Sequence, residues 1–273
     1  MPLIALDQTD LDRFANDGVL LLPWRLSSHH VQTLIEQLPA LARRVDTVAL
    51  EADGKTPRAL HGGHAENEVF DRLTRLDALM RPAEQILRDR VYVYQFKVNL
   101  KVAFAGDFWP WHQDYSFWAK EDEMPSPRAV TVGIFLDDVT EFNGPMYFIP
   151  GSHRSGCHDF DVGQSDAPTE AWRRHVAASL SYQTDRDKVA ALAAARGMLA
   201  PKGPGGTILL FDSNVVHASP ANISPMERRM LFITYNSVTN APKNAKRPEF
   251  LVNRNVTPLV PLEGLELIEP MTA

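Results

Sequence analysis

Apolar positions recur along this chain with two periods, and the switch between them divides it. In the first ninety or so residues the spacing is helical. Leu11 to Asn16 predicts a short helix, and Val31, Leu34, Ile35, Leu38 and Leu41, three and four apart behind a capping Ser27 or Ser28, predict a longer one with a single buried face. Between them Val19-Leu20-Leu21-Leu22 is an apolar run of strand length that Pro23 is expected to end. Thr56 to Glu66 reads as a polar, turn-rich loop, and Val69 to Arg90 returns to helical spacing through Phe70, Leu73, Leu76 and Leu79. From Val91 the period becomes two. Val91 to Leu100 alternates and is rich in β-branched and aromatic residues, so Gln95, Lys97 and Asn99 are expected on one face. A polar face on a long strand meets either solvent or a wet cavity.

Further strands are predicted over Arg128 to Asp137, Met146 to Ile149, Thr207 to Phe211 and Arg229 to Ser237, with Asn143-Gly144-Pro145 reading as the turn of a hairpin. Gly156 to Pro168 is polar and irregular, Glu170 to Ala177 and Lys188 to Arg196 have helical character, and Gly197 suits the end of the second helix. Lys202 to Gly206 is a tight turn rather than a phosphate loop, because no Gly-Lys-Ser/Thr follows and a strand comes next. The tail from Asn240 is broken by prolines. Short strands behind a helical layer predict a mainly β protein with flanking helices. The expected architecture is a double-stranded β-helix (jelly roll) with a helical N-terminal layer, built as one domain over 1–273.

Composition narrows the function by exclusion. A net charge of −6 with no run of Lys or Arg argues against nucleic acid and anionic membranes, and leaves small molecules as the expected partners. Cys157 is the only cysteine, which excludes an internal disulfide and a Cys-based zinc site. With an acidic N-terminus lacking an apolar signal core, and no stretch of membrane-spanning length, a cytoplasmic location is expected. Nothing in the pattern specifies an oligomeric state.

The chemistry centres on Trp109-Pro110-Trp111-His112-Gln113-Asp114. In an extended segment residues i and i+2 face the same way, so His112 and Asp114 can grip one metal together. His217, far downstream, would complete a two-His-one-carboxylate facial triad, the donor set that holds non-haem Fe(II) while leaving positions open. Zinc competes for the same donors, although no accompanying general base is apparent. Eleven positions beyond His217 stands Arg228, beside Arg229. A guanidinium fork suits the far carboxylate of a dicarboxylate such as 2-oxoglutarate, and adjacent strand residues point to opposite faces, so one of the two arginines can enter a barrel. His61, His64 and His153 sit in glycine-containing loops, where contacts without a metal are the commoner fate.

Tyr94 to Asn99, Trp109 to Tyr115, Trp118 with Glu121-Asp122, Asn143-Gly144-Pro145, Pro150-Gly151-Ser152-His153 and Val216-His217-Ala218-Ser219 together resemble the phytanoyl-CoA dioxygenase superfamily. Within it they are most similar to the branch of ectoine hydroxylase and the bacterial proline trans-4-hydroxylases. Likeness to the second group extends to Ala59 to His64, Arg247 to Leu251 and Thr257 to Leu262, and is thinnest over 159–186.

The resemblance implies an enzyme dependent on Fe(II), 2-oxoglutarate and O₂ that hydroxylates a free small amino acid and releases succinate and CO₂. L-Proline, giving trans-4-hydroxy-L-proline, is the first expectation, with ectoine, pipecolate or another amino acid as alternatives. A metal-containing jelly roll that binds a ligand without turnover is the non-enzymatic alternative. By position, the resemblance implies His112, Asp114 and His217 as iron ligands and Arg228 as the 2-oxoglutarate anchor. Gln95, Asn99, Thr131 and Ser219 would help to hold that cosubstrate, with Trp109 as a wall. His61, Tyr115, Trp118, Phe211 and Phe232 would line the substrate pocket, plain core packing being the other reading of each aromatic. Arg128 and Glu121 stand as candidates to meet the substrate's carboxylate and amine. Halogenating relatives carry a small residue in place of Asp114, so the carboxylate implies hydroxylation.

Overall fold

The computed structural model describes residues 5–161, 180–262 and 268–270. Helix α1 (Gln8–Asp17) is capped by Asp7, whose carboxylate accepts the Asp10 N–H, and leads into strand β1 (Val19–Leu26). Pro23 does not end that strand. Pairing with the neighbouring strand skips from Leu21 to Arg25, and the exposed proline lies in the irregularity, where no ladder N–H is required of it. Helix α2 (Ser28–Ala42) starts at the Ser27 cap and buries Val31, Leu34, Leu38 and Leu41. Strand β2 (Val48–Leu50) pairs with β3 (Pro57–His61), and β3 falls where a polar loop was expected; Arg58 and His61 make β3 look soluble, yet both are buried. The next helical stretch is two helices, α3 (Glu68–Thr74) and α4 (Asp77–Leu87).

The β half follows with β4 (Val91–Lys101), β5 (Trp109–His112), helix α5 (Asp114–Asp122), β6 (Ala129–Phe135), β7 (Tyr147–Phe148) and β8 (Asp159–Asp161). Then come β9 (Tyr182–Thr184), helix α6 (Arg186–Arg196), β10 (Thr207–Asp212), β11 (His217–Ser219), β12 (Arg228–Ser237) and β13 (Ile268–Pro270). The helix expected over Glu170 to Ala177 lies outside the described residues. Eight strands form an antiparallel sheet in the order β13-β1-β10-β6-β12-β4-β3-β2, and β5-β11-β7 form a second. The expected hairpin is absent, because β6 lies between β10 and β12 while β7 pairs with β11. The Asn143-Gly144-Pro145 turn instead carries the chain from one sheet to the other, as a jelly roll requires.

Alternation along β4 separates two environments. Phe96 and Val98 face outward into the core shared with α1 to α4, whereas Gln95, Lys97 and Asn99 lie opposite Thr234, Phe232 and Met230 of β12 on the inner face. A bulge at Tyr94 then reverses the phase. Beyond it Val91 and Val93 join the helical core, and Tyr92 and Tyr94 turn inward to pack with Phe117 and Trp118. Polar residues therefore occupy the middle of the inner face, with aromatic packing on either side. Among the described residues no helix is long and apolar enough to cross a membrane.

Candidate active site

Strands β5 and β11 are antiparallel neighbours in the smaller sheet, and their register sets His217 directly opposite His112. The two imidazole centroids are 4.2 Å apart. Helix α5 begins at Asp114, so the motif is not a strand throughout; its alternation survives because Gln113 is extended, at φ −120° and ψ 126°. Asp114 therefore falls on the His112 side. The Gln113 side chain points away, donating to the carbonyls of Asn214 (2.6 Å) and Gly156 (3.0 Å). The three residues, 105 apart at the extremes (217 − 112), bring one ligand atom each within 4.8 Å of one another.

Each histidine is held by the carbonyl two residues before it: His112 Nδ1 lies 2.7 Å from Pro110 O and His217 Nδ1 lies 3.0 Å from Val215 O. A carbonyl can only accept, so each Nδ1 carries the proton and each Nε2 keeps its lone pair. Burial, with His112 beside it, pushes His217 down to about 3, so it is neutral at ordinary pH. For Asp114, burial opposes ionisation, but the neighbouring Lys97 favours it, and the carboxyl is held well below the usual carboxylate range. Its Oδ1 is 3.7 Å from His112 Nε2 and 3.9 Å from Lys97 Nζ, and its buried Oδ2 has no hydrogen-bond partner among the described residues. Two oriented imidazoles and a carboxylate oxygen in want of a partner fit a divalent cation.

The three residues share one cavity with His61, Gln95, Asn99, Trp109, Trp118, Phe211, Ser219, Arg228 and Phe232. Two expected members do not line it. Thr131 is on the inner face but its hydroxyl is engaged with that of Thr234 at 3.0 Å, and the Tyr115 hydroxyl donates to Met124 O at 3.3 Å. Arg228, the first residue of β12, is 1% exposed and donates from Nε and Nη2 to Gly144 O at 3.1 and 2.6 Å. Among the described residues no carboxylate lies within ion-pair distance of it, and burial pushes it down to about 9. Arg229 faces the other way and pairs with Asp137. A buried guanidinium without a counter-charge is costly, and an anion in the cavity would relieve it.

Arg128 and Glu121 are not in the cavity. Arg128 is exposed and donates to Leu87 O, and Glu121 accepts from the Tyr182 hydroxyl. His64 stacks on Phe96, and His153 donates to Ala15 O, so both are loop contacts. Lining residues without an assigned role in the sequence reading include Lys97, Phe117, Met146, Leu180 and Arg247. For Lys97 a signal existed, since it alternates with Gln95 and Asn99. Arg247 had no periodic signal, only its place in a stretch that carries the resemblance: it comes from the irregular tail and is bound to Asp122 at 2.6 Å, beside the Tyr94 hydroxyl.

A double-stranded β-helix with a facial His-Asp-His set and a buried arginine in one cavity defines an Fe(II)- and 2-oxoglutarate-dependent dioxygenase. The chain belongs to the phytanoyl-CoA dioxygenase (PhyH) family, whose profile matches residues 14–230. It is 44% identical over 253 residues to the L-proline trans-4-hydroxylase of Streptomyces griseoviridis, covering 92% of this chain and 94% of the relative. To the ectoine dioxygenase of Bordetella bronchiseptica it is 32% identical over 277 residues, covering 97% of this chain and 88% of that one. Among solved structures, EctD from S. alaskensis with 2-oxoglutarate and 5-hydroxyectoine matches at a TM-score of 0.78 and 30% identity, covering 91% of this chain and 84% of that chain. EctD from the same organism with bound Fe gives 0.79 at 30% identity, covering 94% and 87%.

Proposed function

We propose that this chain, acting as one catalytic domain in the cytoplasm, converts free L-proline to trans-4-hydroxy-L-proline, with 2-oxoglutarate and O₂ consumed and succinate and CO₂ released. His112, Asp114 and His217 hold the iron. Arg228 anchors the far carboxylate of 2-oxoglutarate through its fork, Gln95, Asn99 and Ser219 offer polar contacts to it, and Trp109 walls it in. The observation that carries the chemistry is a buried Asp114 oxygen in the same cavity as a buried Arg228, the one without a hydrogen-bond partner and the other without a counter-charge among the described residues. The choice of proline rests on the 44% identity to the Streptomyces griseoviridis enzyme.

Bound iron supplies the redox chemistry that couples decarboxylation of 2-oxoglutarate to hydroxylation of a C–H bond. The chain's own residues orient and enclose. The backbone carbonyls of Pro110 and Val215 keep both imidazoles in the ligating tautomer. His61, Trp118, Phe211 and Phe232 enclose the amino acid and exclude water from the site. Lys97, which lines the cavity 3.9 Å from Asp114, takes the role of carboxylate partner in place of Arg128, which does not line it.

The test is a substrate panel of proline, pipecolate, ectoine, leucine and lysine with iron-loaded protein. Succinate release should depend on proline, and NMR of the product should place a trans hydroxyl at C4. Ectoine is the second reading, supported by the likeness to EctD, and preferential turnover of ectoine would replace the first. No consumption of 2-oxoglutarate with any member would leave a ligand-binding protein.

A further inference from the structure

The segment entering β5 is held in an unusual way. Its backbone groups from Asp107 N to Phe108 O are taken by charged side chains rather than by a strand: Glu51 Oε1 accepts Asp107 N–H (3.1 Å) and Lys101 Nζ donates to Asp107 O (2.6 Å). Asp107 Oδ1 accepts Phe108 N–H (2.7 Å), and Arg58 Nη2 donates to Phe108 O (2.7 Å). Arg58 also pairs with Glu51 at 2.8 Å, with side chains 1% and 7% exposed. Its guanidinium carbon lies 3.8 Å from the centroid of the Trp109 ring, the next residue along and part of the cavity wall.

Local structure explains how Arg58 gets there. The β2–β3 register passes from Ala49 opposite Ala59 to Leu50 opposite Pro57, which leaves Arg58 as the extra residue of a bulge. A bulge re-aims the side chain it carries. Buried ion pairs contribute little net stability, because desolvation offsets their attraction, so one retained here calls for another reason. The planar fork supplies it: the group bonds to Glu51 and Phe108 O at its edge while its face lies on the indole.

We propose that Arg58 is a positioning residue that holds the Trp109 indole at the 2-oxoglutarate end of the cavity and thereby sets affinity for that cosubstrate. This rests on the reading of Trp109 as a wall of the cosubstrate site. Arg58→Lys keeps a charge for Glu51 but cannot reach Phe108 O and cover the ring together. The variant should raise the 2-oxoglutarate KM on the order of tenfold, with the proline KM changed by less than about twofold.

A second measurement is made on metal-free protein. The five tryptophans give five indole N–H resonances, and Trp109→Phe identifies one by its loss. In Arg58→Lys that resonance should move while the other four stay. Should this variant unfold, collapsing all five, the paired Glu51→Gln/Arg58→Met replacement removes both buried charges together and should give the same selective shift and the same KM split. An unmoved Trp109 resonance, an unchanged 2-oxoglutarate KM, or an equal rise in both KM values overturns the proposal. A native protein that consumes no 2-oxoglutarate refutes the dioxygenase reading, and the cosubstrate role of Arg58 with it, even where the indole resonance moves.

Discussion

At the scale of single residues, Asp114 concentrates the dependence on geometry. One carboxylate oxygen faces His112 and Lys97 and the other has no partner among the described residues, so its removal takes away a proposed ligand and a charge together. Asp114→Ala should lose proline-dependent succinate formation to background, and undiminished turnover would exclude the triad. Asp212, at the end of β10, makes a different prediction. Burial pushes its carboxyl from an ordinary 3.8 up to about 6, so the folded state binds this proton more tightly than the unfolded chain. Its contribution is full below pH 4 or so, is lost as pH rises through about 6, and leaves a cost of about 3 kcal/mol at pH 7.5. Asparagine retains the acceptor for Asn214 N–H, so Asp212→Asn should raise the melting temperature at pH 7.5 and by only about a third as much at pH 4.5. An equal gain at both would exclude the ionisation as its source. Alternation showed which side chains share a face, as with Gln95, Lys97 and Asn99, and that only one of Arg228 and Arg229 could enter the barrel, the resemblance pointing to Arg228. It carries no information about which side chain a residue meets on another strand or element. The engagement of the Thr131 hydroxyl with Thr234, its partner on the adjacent strand, and the pairing of Arg247 with Asp122, 125 residues away, were therefore not legible.

At the scale of elements, the long regular pieces were readable and the short polar ones were not. Helix α2 and strands β4 and β12 show their periods because one face is apolar throughout. Strand β3 hid, since it buries Arg58 and His61 and composition reports polarity without reporting where that polarity is satisfied. Just beyond β3, Gly62 turns the chain at φ +69°, and a Cβ there would meet the Phe250 Cβ at 2.9 Å. Phe250 belongs to the tail that also brings Arg247 to the cavity, and Gln95 Nε2 donates to Leu251 O in the same stretch. Gly62→Ala should therefore cost about 1–2 kcal/mol from the left-handed backbone alone. It should also raise the proline KM as the tail is displaced, whereas a loss of stability with an unchanged KM would show that the tail does not shape the substrate pocket.

At the scale of the molecule, the site exists because β5 and β11 pair in one register, and nothing nearer in sequence could assemble it. A ligand that binds only the folded arrangement stabilises it by mass action, about 2.7 kcal/mol at a hundred times its dissociation constant. Mn(II) with 2-oxoglutarate should raise the melting temperature of chelator-treated protein, and His217→Ala should abolish that rise. The same rise in the variant would move the binding site elsewhere. The backbone carbonyls behind His112 and His217 have a further consequence. Because folding itself sets both ring tautomers, the donors stand ready before any ion arrives, and a site prepared in this way does little to choose among first-row divalent ions. Intrinsic affinity then follows the general order, in which zinc binds more tightly than Fe(II). Selection of the working metal is thereby left to the cell's supply, and the protein's exposure to mismetallation is written into the hydrogen bonds that make it a good ligand.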